Sequence, residues 1–221
     1  MKDGIIIKGI SGFYYVEVGQ DLYECKARGI FRKKGLSPLV GDRVAISIID
    51  EADKKGNIEK IYERKSELVR PPIANVDKVL ITFSVKEPNP NMVLLDRFIV
   101  FSEKENLDIR IILTKVDLDE DGTIVDRIVS DYGRIGYKVI PVSVDTGQGI
   151  DQVRQELEGC ISVFAGQSGV GKSSILNAIE PGFKIDTAEI SQKLGRGKHT
   201  TRHSELYKLG PNAIVADTPG F

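Results

Sequence analysis

Hydrophobic and polar positions divide the chain into two regimes. In the first, apolar residues come in short runs punctuated by glycine. The stretch from Ile5 to Val18 is rich in β-formers and is interrupted at Gly9 and at Ser11-Gly12. A second segment carries Leu22, Cys25 and Ala27 and ends near Phe31. Between Arg43 and Ile49, the residues Val44, Ile46 and Ile48 alternate with Ala45 and Ser47, which predicts a strand with one buried face. Another short strand is expected over residues 57–62. Several short strands with glycine turns and no helical run predict a small closed β-barrel of OB-fold type. The prolines of Leu68-Val69-Arg70-Pro71-Pro72-Ile73 read as a linker, which places an N-terminal domain at residues 1–68 and a second domain at 69–221.

From Val76 the period changes. An apolar strand, Lys78-Val79-Leu80-Ile81-Thr82-Phe83, precedes a helix over residues 92–105 and a strand over 109–113. Ile124, Ile128 and Tyr132 stand at helical spacing and lead to a strand over 138–142. A helix over 150–157 and a strand over 161–165 follow, then a helix over 173–179 and a strand over 213–216. Apolar strands alternating with amphipathic helices predict an α/β domain whose mostly parallel sheet is covered on both faces. Ligands of such sheets bind at the carboxyl ends of the strands.

Composition narrows the class without deciding it. With 221 residues, 41% hydrophobic and 29% charged, the chain has the balance of an ordinary globular protein. No apolar run is long enough to span a membrane, and Met1-Lys2-Asp3-Gly4 does not begin a signal peptide, so a cytoplasmic location is expected. Cys25 and Cys160 lie far apart and near no histidine cluster, so both are expected to act as small apolar residues. Residues 1–70 hold 14 Lys/Arg against 11 Asp/Glu, a mild basic bias that hints at a polyanionic partner. In particular, Arg28, Phe31, Arg32, Lys33 and Lys34 combine charge with an aromatic, as an RNA-facing loop would, or else form a solvated hairpin tip.

The chemistry is carried by motifs placed just after predicted strands. Gly166-Gln167-Ser168-Gly169-Val170-Gly171-Lys172-Ser173 is a phosphate-binding P-loop, entered from one strand and opening a helix. Its glycines let backbone N–H groups wrap a polyphosphate, reinforced by the helix N-terminus. Lys172 is expected to bridge the β- and γ-phosphates, and the Ser173 hydroxyl to ligate Mg²⁺.

Thr114-Lys115-Val116-Asp117 ends the strand at 109–113. An ionised Asp117 offers two acceptor oxygens to the adjacent N1–H and N2–H₂ donors of guanine, a pair that adenine lacks. The Lys115 stem would lie over the base, while Thr114 stands where Asn is usual and supplies one hydroxyl. Ser143 follows the next strand and fits a contact to guanine O6.

Asp217-Thr218-Pro219-Gly220 follows the last strand, with Asp217 expected to hold Mg²⁺ through water and the Gly220 N–H to face the γ-phosphate. Thr200 or Thr201, in the polar stretch before it, is the remaining Mg²⁺ ligand candidate, and the sequence does not choose between them. Phe221 occupies the position at which Ras-like enzymes carry a water-orienting glutamine. Phenylalanine cannot orient water, so His199 becomes the candidate for that role, against the alternative of a surface histidine.

The motifs run in an unusual order, with the base-reading loop ahead of the phosphate loop, so the nucleotide domain is circularly permuted. That order, the loop continuing to Ser174, the segment Gly197-Lys198-His199-Thr200-Thr201 and Asp217-Thr218-Pro219-Gly220-Phe221 resemble the bacterial RsgA (YjeQ/YloQ) GTPases. Pro38-Leu39-Val40-Gly41-Asp42-Arg43 and Arg70-Pro71-Pro72-Ile73-Ala74-Asn75-Val76-Asp77 extend the resemblance over the whole chain. It implies a GTPase of late maturation of the small (30S) ribosomal subunit, stimulated by that subunit. It also implies an OB domain touching ribosomal RNA, and a catalytic histidine that maps to His199. Members of the family continue into a helical Zn²⁺-binding Cys/His domain; this chain stops at Phe221, which is read as a truncation that removes the zinc site. GTP and GDP are the expected ligands, and a monomer is expected. Two other readings stay open at this point: a nucleotide-gated ribosome-binding switch with negligible hydrolysis, and a P-loop ATPase.

Overall fold

The computed structural model describes residues 1–33, 35–69, 71–181, 205–210 and 212–217, with the side chains of Arg32 and Asp217 outside that description. They fall into two compact units. One comprises residues 1–76 with 205–207, the other residues 77–181 with 208–217.

The first unit is a five-stranded barrel built from β1 (Lys2–Ile10), β2 (Phe13–Val18), β3 (Asp21–Ala27), β4 (Arg43–Asp50) and β5 (Lys55–Ile61). The strands run in the order β1-β2-β3-β5-β4, and pairing of β1 with β4 closes the ring. All neighbours are antiparallel except β3 with β5. This is the OB-type barrel that the strand pattern predicts. Ile6, Val16, Tyr23, Cys25, Val44, Ile46 and Ile58 fill the interior with no exposed surface. Closure also requires Gly4, because a Cβ there would stand 2.3 Å from the Glu17 carbonyl oxygen. On the outside, Lys8 faces Glu205 in antiparallel register, and their side chains pair at 2.8 Å.

Two segments of this unit differ from the sequence expectation. A short helix α1 (Gly29–Lys33) stands where the sequence suggests an RNA-facing loop or a solvated hairpin tip, and its Phe31 is buried. The expected linker is instead a hairpin, β6 (Glu67–Val69) with β7 (Pro72–Ala74), in which Leu68, Ile73 and Ala74 are buried. Pro72 is tolerated because it opens its strand, where no ladder N–H is needed. The hairpin is locked onto the loop before β4. Asp42, fully buried, accepts two hydrogen bonds from Arg64, at 2.7 and 2.8 Å, and one from the Leu39 N–H. Gly41 adopts φ +92°, and a Cβ there would lie 2.1 Å from the Ala74 carbonyl oxygen, so only glycine fits.

The second unit is the expected α/β layer structure. Strands β8 (Lys78–Ser84), β9 (Asp108–Thr114), β10 (Lys138–Val142), β11 (Ile161–Ala165) and β13 (Ala213–Asp217) lie in the order β10-β9-β8-β11-β13. Every pairing among them is parallel. Every residue of β8 and β11 is buried, as strands covered on both faces require. Helices α4 (Ile150–Leu157) and α5 (Lys172–Ile179) bury Val153, Leu157, Ile175 and Ile179 against Leu80, Ile112 and Ile140. Helices α2 (Met92–Lys104) and α3 (Thr123–Arg134) pack against β8, β9 and β10. Strand β12 (Glu205–Leu209) was not foreseen; its Leu209 joins the apolar cluster of α4 and α5.

The amino-terminal edge of this sheet is closed by charge. Glu156, on α4, accepts Lys78 Nζ at 2.8 Å, Arg110 Nε at 2.7 Å and Lys138 Nζ at 2.6 Å, one cation from each of three adjacent strands. Burial alone would push its carboxyl up, but the hydrogen bonds from Lys138, Lys78 and Arg110 outweigh it and hold the pKa at about 2.

Candidate nucleotide site

Going along the sheet from β8, the chain proceeds to β9 and β10 on one side and returns to β11 on the other, so the direction of winding reverses between β8 and β11. A crevice for ligand opens at the carboxyl ends of strands at such a point. The glycine-rich loop lies there, joining β11 to α5.

Its glycines have distinct duties. Gly166 leaves β11 at φ +144°, and a Cβ would stand 2.2 Å from the Thr82 carbonyl oxygen on β8, so the loop can pack against its neighbour only as glycine. Gly169 and Gly171 take φ +81° and +97°, the latter immediately before the first helical residue. Gln167 is half-buried, Ser168 and Gly169 are exposed, and Val170 is buried. Ser173 and Ser174 lie half-buried in the first turn of α5, whose N-terminus carries a partial positive charge. Lys172 curls back so that Nζ donates to the carbonyls of Gly166 and Gln167, both at 2.6 Å. Burial lowers its pKa to about 8. A half-buried ammonium held by two neutral carbonyl oxygens is poised to take an anion.

The Thr114-Lys115-Val116-Asp117 segment leaves the neighbouring end of β9. Lys115 adopts a left-handed backbone (φ 58°) and caps a single 3-10 turn, Val116–Leu118, which leaves Asp117 exposed and Val116 buried. Lys115 Nζ donates to the Glu87 carbonyl in the loop after β8. Thr114 is 3% exposed, and its hydroxyl donates to the Val170 carbonyl at 2.7 Å, with the Phe83 carbonyl at 3.3 Å. Ser143, after β10, is fully buried; its Oγ accepts the Thr146 N–H at 3.2 Å and its own N–H donates to the Gln148 carbonyl. Val144 and Asp145, beside it, are exposed. Gly149 closes this loop at φ +76°, where a Cβ would meet the Pro141 carbonyl at 2.2 Å.

The backbone of Asp217 ends β13, which pairs with β11, so this motif also reaches the carboxyl end of the sheet. The Asp217 side chain, His199, Thr200, Thr201, Gly220 and Phe221 lie outside the described residues. Among the described residues, no group of three or more His, Cys, Asp or Glu could hold a metal. Three contacts escaped the sequence reading: the Thr114–Val170 tie, the Lys115–Glu87 contact and the Gly166–Thr82 approach. Each joins segments distant in the chain, and no local pattern signals them.

On the barrel, Arg28 is exposed but paired with Glu59 at 2.7 Å, and Lys33 is exposed. Phe31 is 6% exposed, which corrects the expectation that it stacks on RNA from a basic loop: its ring belongs to the core. Lys34 and the Arg32 side chain lie outside the described residues. Partly exposed aromatics include Phe13 and Tyr15 of β2, with Lys26 Nζ 5.1 Å from the Phe13 ring centroid and Tyr15 hydrogen-bonded to Glu24, and Tyr62 after β5, with Lys60 Nζ 4.6 Å from its ring centroid.

Comparison with known proteins agrees with this architecture. Residues 61–221 match the family described as RsgA GTPase, and residues 3–58 match the RsgA N-terminal domain. The chain is 51% identical over 221 residues to the small ribosomal subunit biogenesis GTPase RsgA of Alkaliphilus metalliredigens, covering all of this chain and 75% of that protein. It is 50% identical to the protein of the same name from Ruminiclostridium cellulolyticum, of which it covers 72%. Among solved structures, YjeQ from Thermotoga maritima superposes with a TM-score of 0.85 at 37% identity, over 100% of this chain and 75% of that one. YloQ, described as a circularly permuted GTPase, does so with a TM-score of 0.77 at 41% identity, over 100% and 72%. The barrel, the permuted α/β unit and the sequence matches over both agree: the chain belongs to the RsgA GTPase family.

Proposed function

We propose that this chain binds GTP across the loops after β9, β10 and β11, hydrolyses it to GDP and phosphate, and acts in biogenesis of the small ribosomal subunit. The observation that carries this reading is the convergence of an exposed Asp117 and the Lys172 loop at one end of one parallel sheet. Asp117 would accept the N1–H and N2–H₂ of guanine, which excludes adenine. Lys172 would exchange its two carbonyl partners for phosphate oxygens, a replacement of neutral acceptors by charged ones. With the Ser143 side chain buried, guanine O6 would be met by backbone N–H groups at Val144 or Asp145.

The Ser173 hydroxyl, the Asp217 carboxylate and the hydroxyl of Thr200 or Thr201 would hold the cation, a hard-donor set that suits Mg²⁺. Bound there, Mg²⁺ would neutralise charge developing on the phosphates. The Gly220 N–H would face the γ-phosphate. His199 would orient the attacking water, since Phe221 cannot.

The barrel is the proposed contact with ribosomal RNA, using Arg28, Arg32, Lys33 and Lys34 for phosphates and the Phe13–Lys26 face for bases. A monomer acting in the cytoplasm fits these roles; among the described residues, no helix is long and apolar enough to cross a membrane.

Single-turnover hydrolysis with and without small subunits, in wild type and His199→Ala, tests the enzyme. Stimulation by subunits that is lost in the variant is expected. Stimulation untouched by the substitution clears His199, and no turnover under either condition replaces the enzyme by a nucleotide-gated switch. The base assignment is tested by Asp117→Asn, which should shift preference from GTP to xanthosine triphosphate. Equal binding of ATP and GTP by the wild type would sink it.

A further inference from the structure

The geometry points to Lys8 and Glu205 as a positioning pair for GTP hydrolysis, holding the downstream end of the stretch that carries His199, Thr200 and Thr201. The pair rests on the GTPase reading and adds to it a route by which the barrel acts on catalysis. An irregularity in β1 places Lys8. Ile6 points into the barrel and is fully buried, so strict alternation would carry Lys8 inside as well. One extra residue, Ile7, shifts the β1–β2 register between Ile6↔Val16 and Lys8↔Tyr15. The bulge resets the alternation and turns Lys8 outward, where its side chain is 33% exposed.

The edge of β1 that faces β4 is paired only as far as Ile5↔Arg43, and Asp42 and Gly41 cover Ile6 through backbone hydrogen bonds of 2.9 and 2.8 Å. Beyond them β4 no longer covers that edge, and β12 occupies it at Lys8↔Glu205. Lys8 Nζ donates to Glu205 Oε1 at 2.8 Å, and the Tyr207 hydroxyl donates to Oε2 at 3.3 Å, so both carboxylate oxygens are engaged. Glu205 opens β12 and lies five positions after Thr200 and six after His199. Five residues span at most about 18 Å, so fixing Glu205 confines the residues proposed to meet Mg²⁺ and the attacking water.

Hydrolysis needs that stretch in one arrangement over the bound nucleotide. With its end released, the stretch samples more positions, and the rate falls with the fraction of molecules still in register. GDP has no γ-phosphate to order the stretch, so its binding does not depend on the pair. Lys8 also stands in the outer row Lys8–Tyr15–Glu24, next to the row Ile10–Phe13–Lys26, on the face proposed for ribosomal RNA. The competing role for Lys8 is therefore a direct contact to an RNA phosphate. Exchanging the two charges separates the roles, because it restores the pair but leaves an acid where RNA would need a base.

Single-turnover hydrolysis at saturating small subunits, and GDP affinity by calorimetry, are measured with the full chain in wild type, Lys8→Glu, Glu205→Lys and the double exchange. Each single reversal is expected to slow hydrolysis about fivefold with GDP affinity unchanged, and the double exchange to return the rate to within about twofold of wild type. A double exchange as slow as the single variants overturns the pair in favour of separate roles, Lys8 on RNA among them. Single variants as fast as wild type overturn it as well, and so does a matching loss of GDP affinity, which would mean damage to the nucleotide site. Where a reversed variant does not fold, Lys8→Met, Glu205→Gln and their combination carry the test. The combination must then be no slower than either single variant, and additive losses overturn the pair. A wild type that hydrolyses no GTP under any condition brings down the enzyme reading and the pair together, an outcome distinct from all the others.

Discussion

The two ends of the parallel sheet treat charge in opposite ways. At the amino-terminal edge, Glu156 is surrounded by Lys78, Arg110 and Lys138, and its pKa is held at about 2. At the carboxyl-terminal edge, Lys172 is half-buried against two backbone carbonyls, and its pKa is lowered to about 8. The first end has more compensation than its carboxylate needs, and the second has less than its ammonium needs. Charges already compensated contribute to stability, whereas an under-compensated charge holds interaction energy in reserve for a ligand. The same fold thus separates its stability from its binding by about the length of a strand.

The strongest break in this comparison is Lys172→Ala. Removing the cation forfeits charge-assisted bonds to the phosphates, and GTP affinity is expected to fall about 100-fold or more, read by calorimetry. Thermal stability should not fall, because the side chain removed is one that burial disfavours in its charged form. A lowered melting temperature would show that Lys172 is structural and that the two ends do not differ.

Glu156→Gln is the mirror experiment. It leaves three cations converging on a neutral amide, and is expected to cost about 2–3 kcal/mol in denaturant unfolding; the figure is below that of a fully buried pair because the Lys138 side chain is 57% exposed. GTP affinity should be unchanged. Acid offers the same test without a substitution. Because the folded-state pKa of Glu156 is depressed, its contribution is fully present above the unfolded value near 4.5 and is lost as pH falls toward 2. That window should hold about 2 kcal/mol of pH-dependent stability in wild type that is missing from Glu156→Gln, measured by unfolding at stepped pH.

Legibility in the sequence also differs by region. The strands of the second unit could be read because burial on both faces makes them continuous apolar runs, and each motif follows one of them directly. Strand β12 could not, because its buried residues, Leu206 and Leu209, are three apart, a helical spacing, and not the alternation of a half-buried strand. The β6–β7 hairpin was hidden by prolines that read as a linker, although Pro72 sits where a strand tolerates one. Phe31 illustrates a different limit: a ring among basic residues suggests stacking, but only the three-dimensional packing reveals that it turns inward. Within the site, the residue types Lys172 and Asp117 announce their chemistry, whereas the work of Thr114 depends on a carbonyl 56 residues away. Motifs record what touches a ligand; ties between loops leave no local pattern.

The subtlest difference between the two ends is their response to alkali. Lys172 titrates at about 8 in the free chain, while a bound polyphosphate would raise its pKa well above that. Binding therefore favours the protonated lysine. At pH 7 most free molecules already carry that proton, but at pH 9 only about one in ten does, so GDP affinity is expected to fall about tenfold between those values. The missing proton must then be taken up on binding, so the calorimetric heat at pH 9 should vary with the ionisation enthalpy of the buffer by close to one proton. At pH 7 that dependence should be slight. Glu156→Gln must leave this profile intact, because its charge acts at the other edge of the sheet. A profile that is flat from pH 7 to 9 in wild type would mean that Lys172 is as well compensated as Glu156, and the contrast between the two ends would disappear.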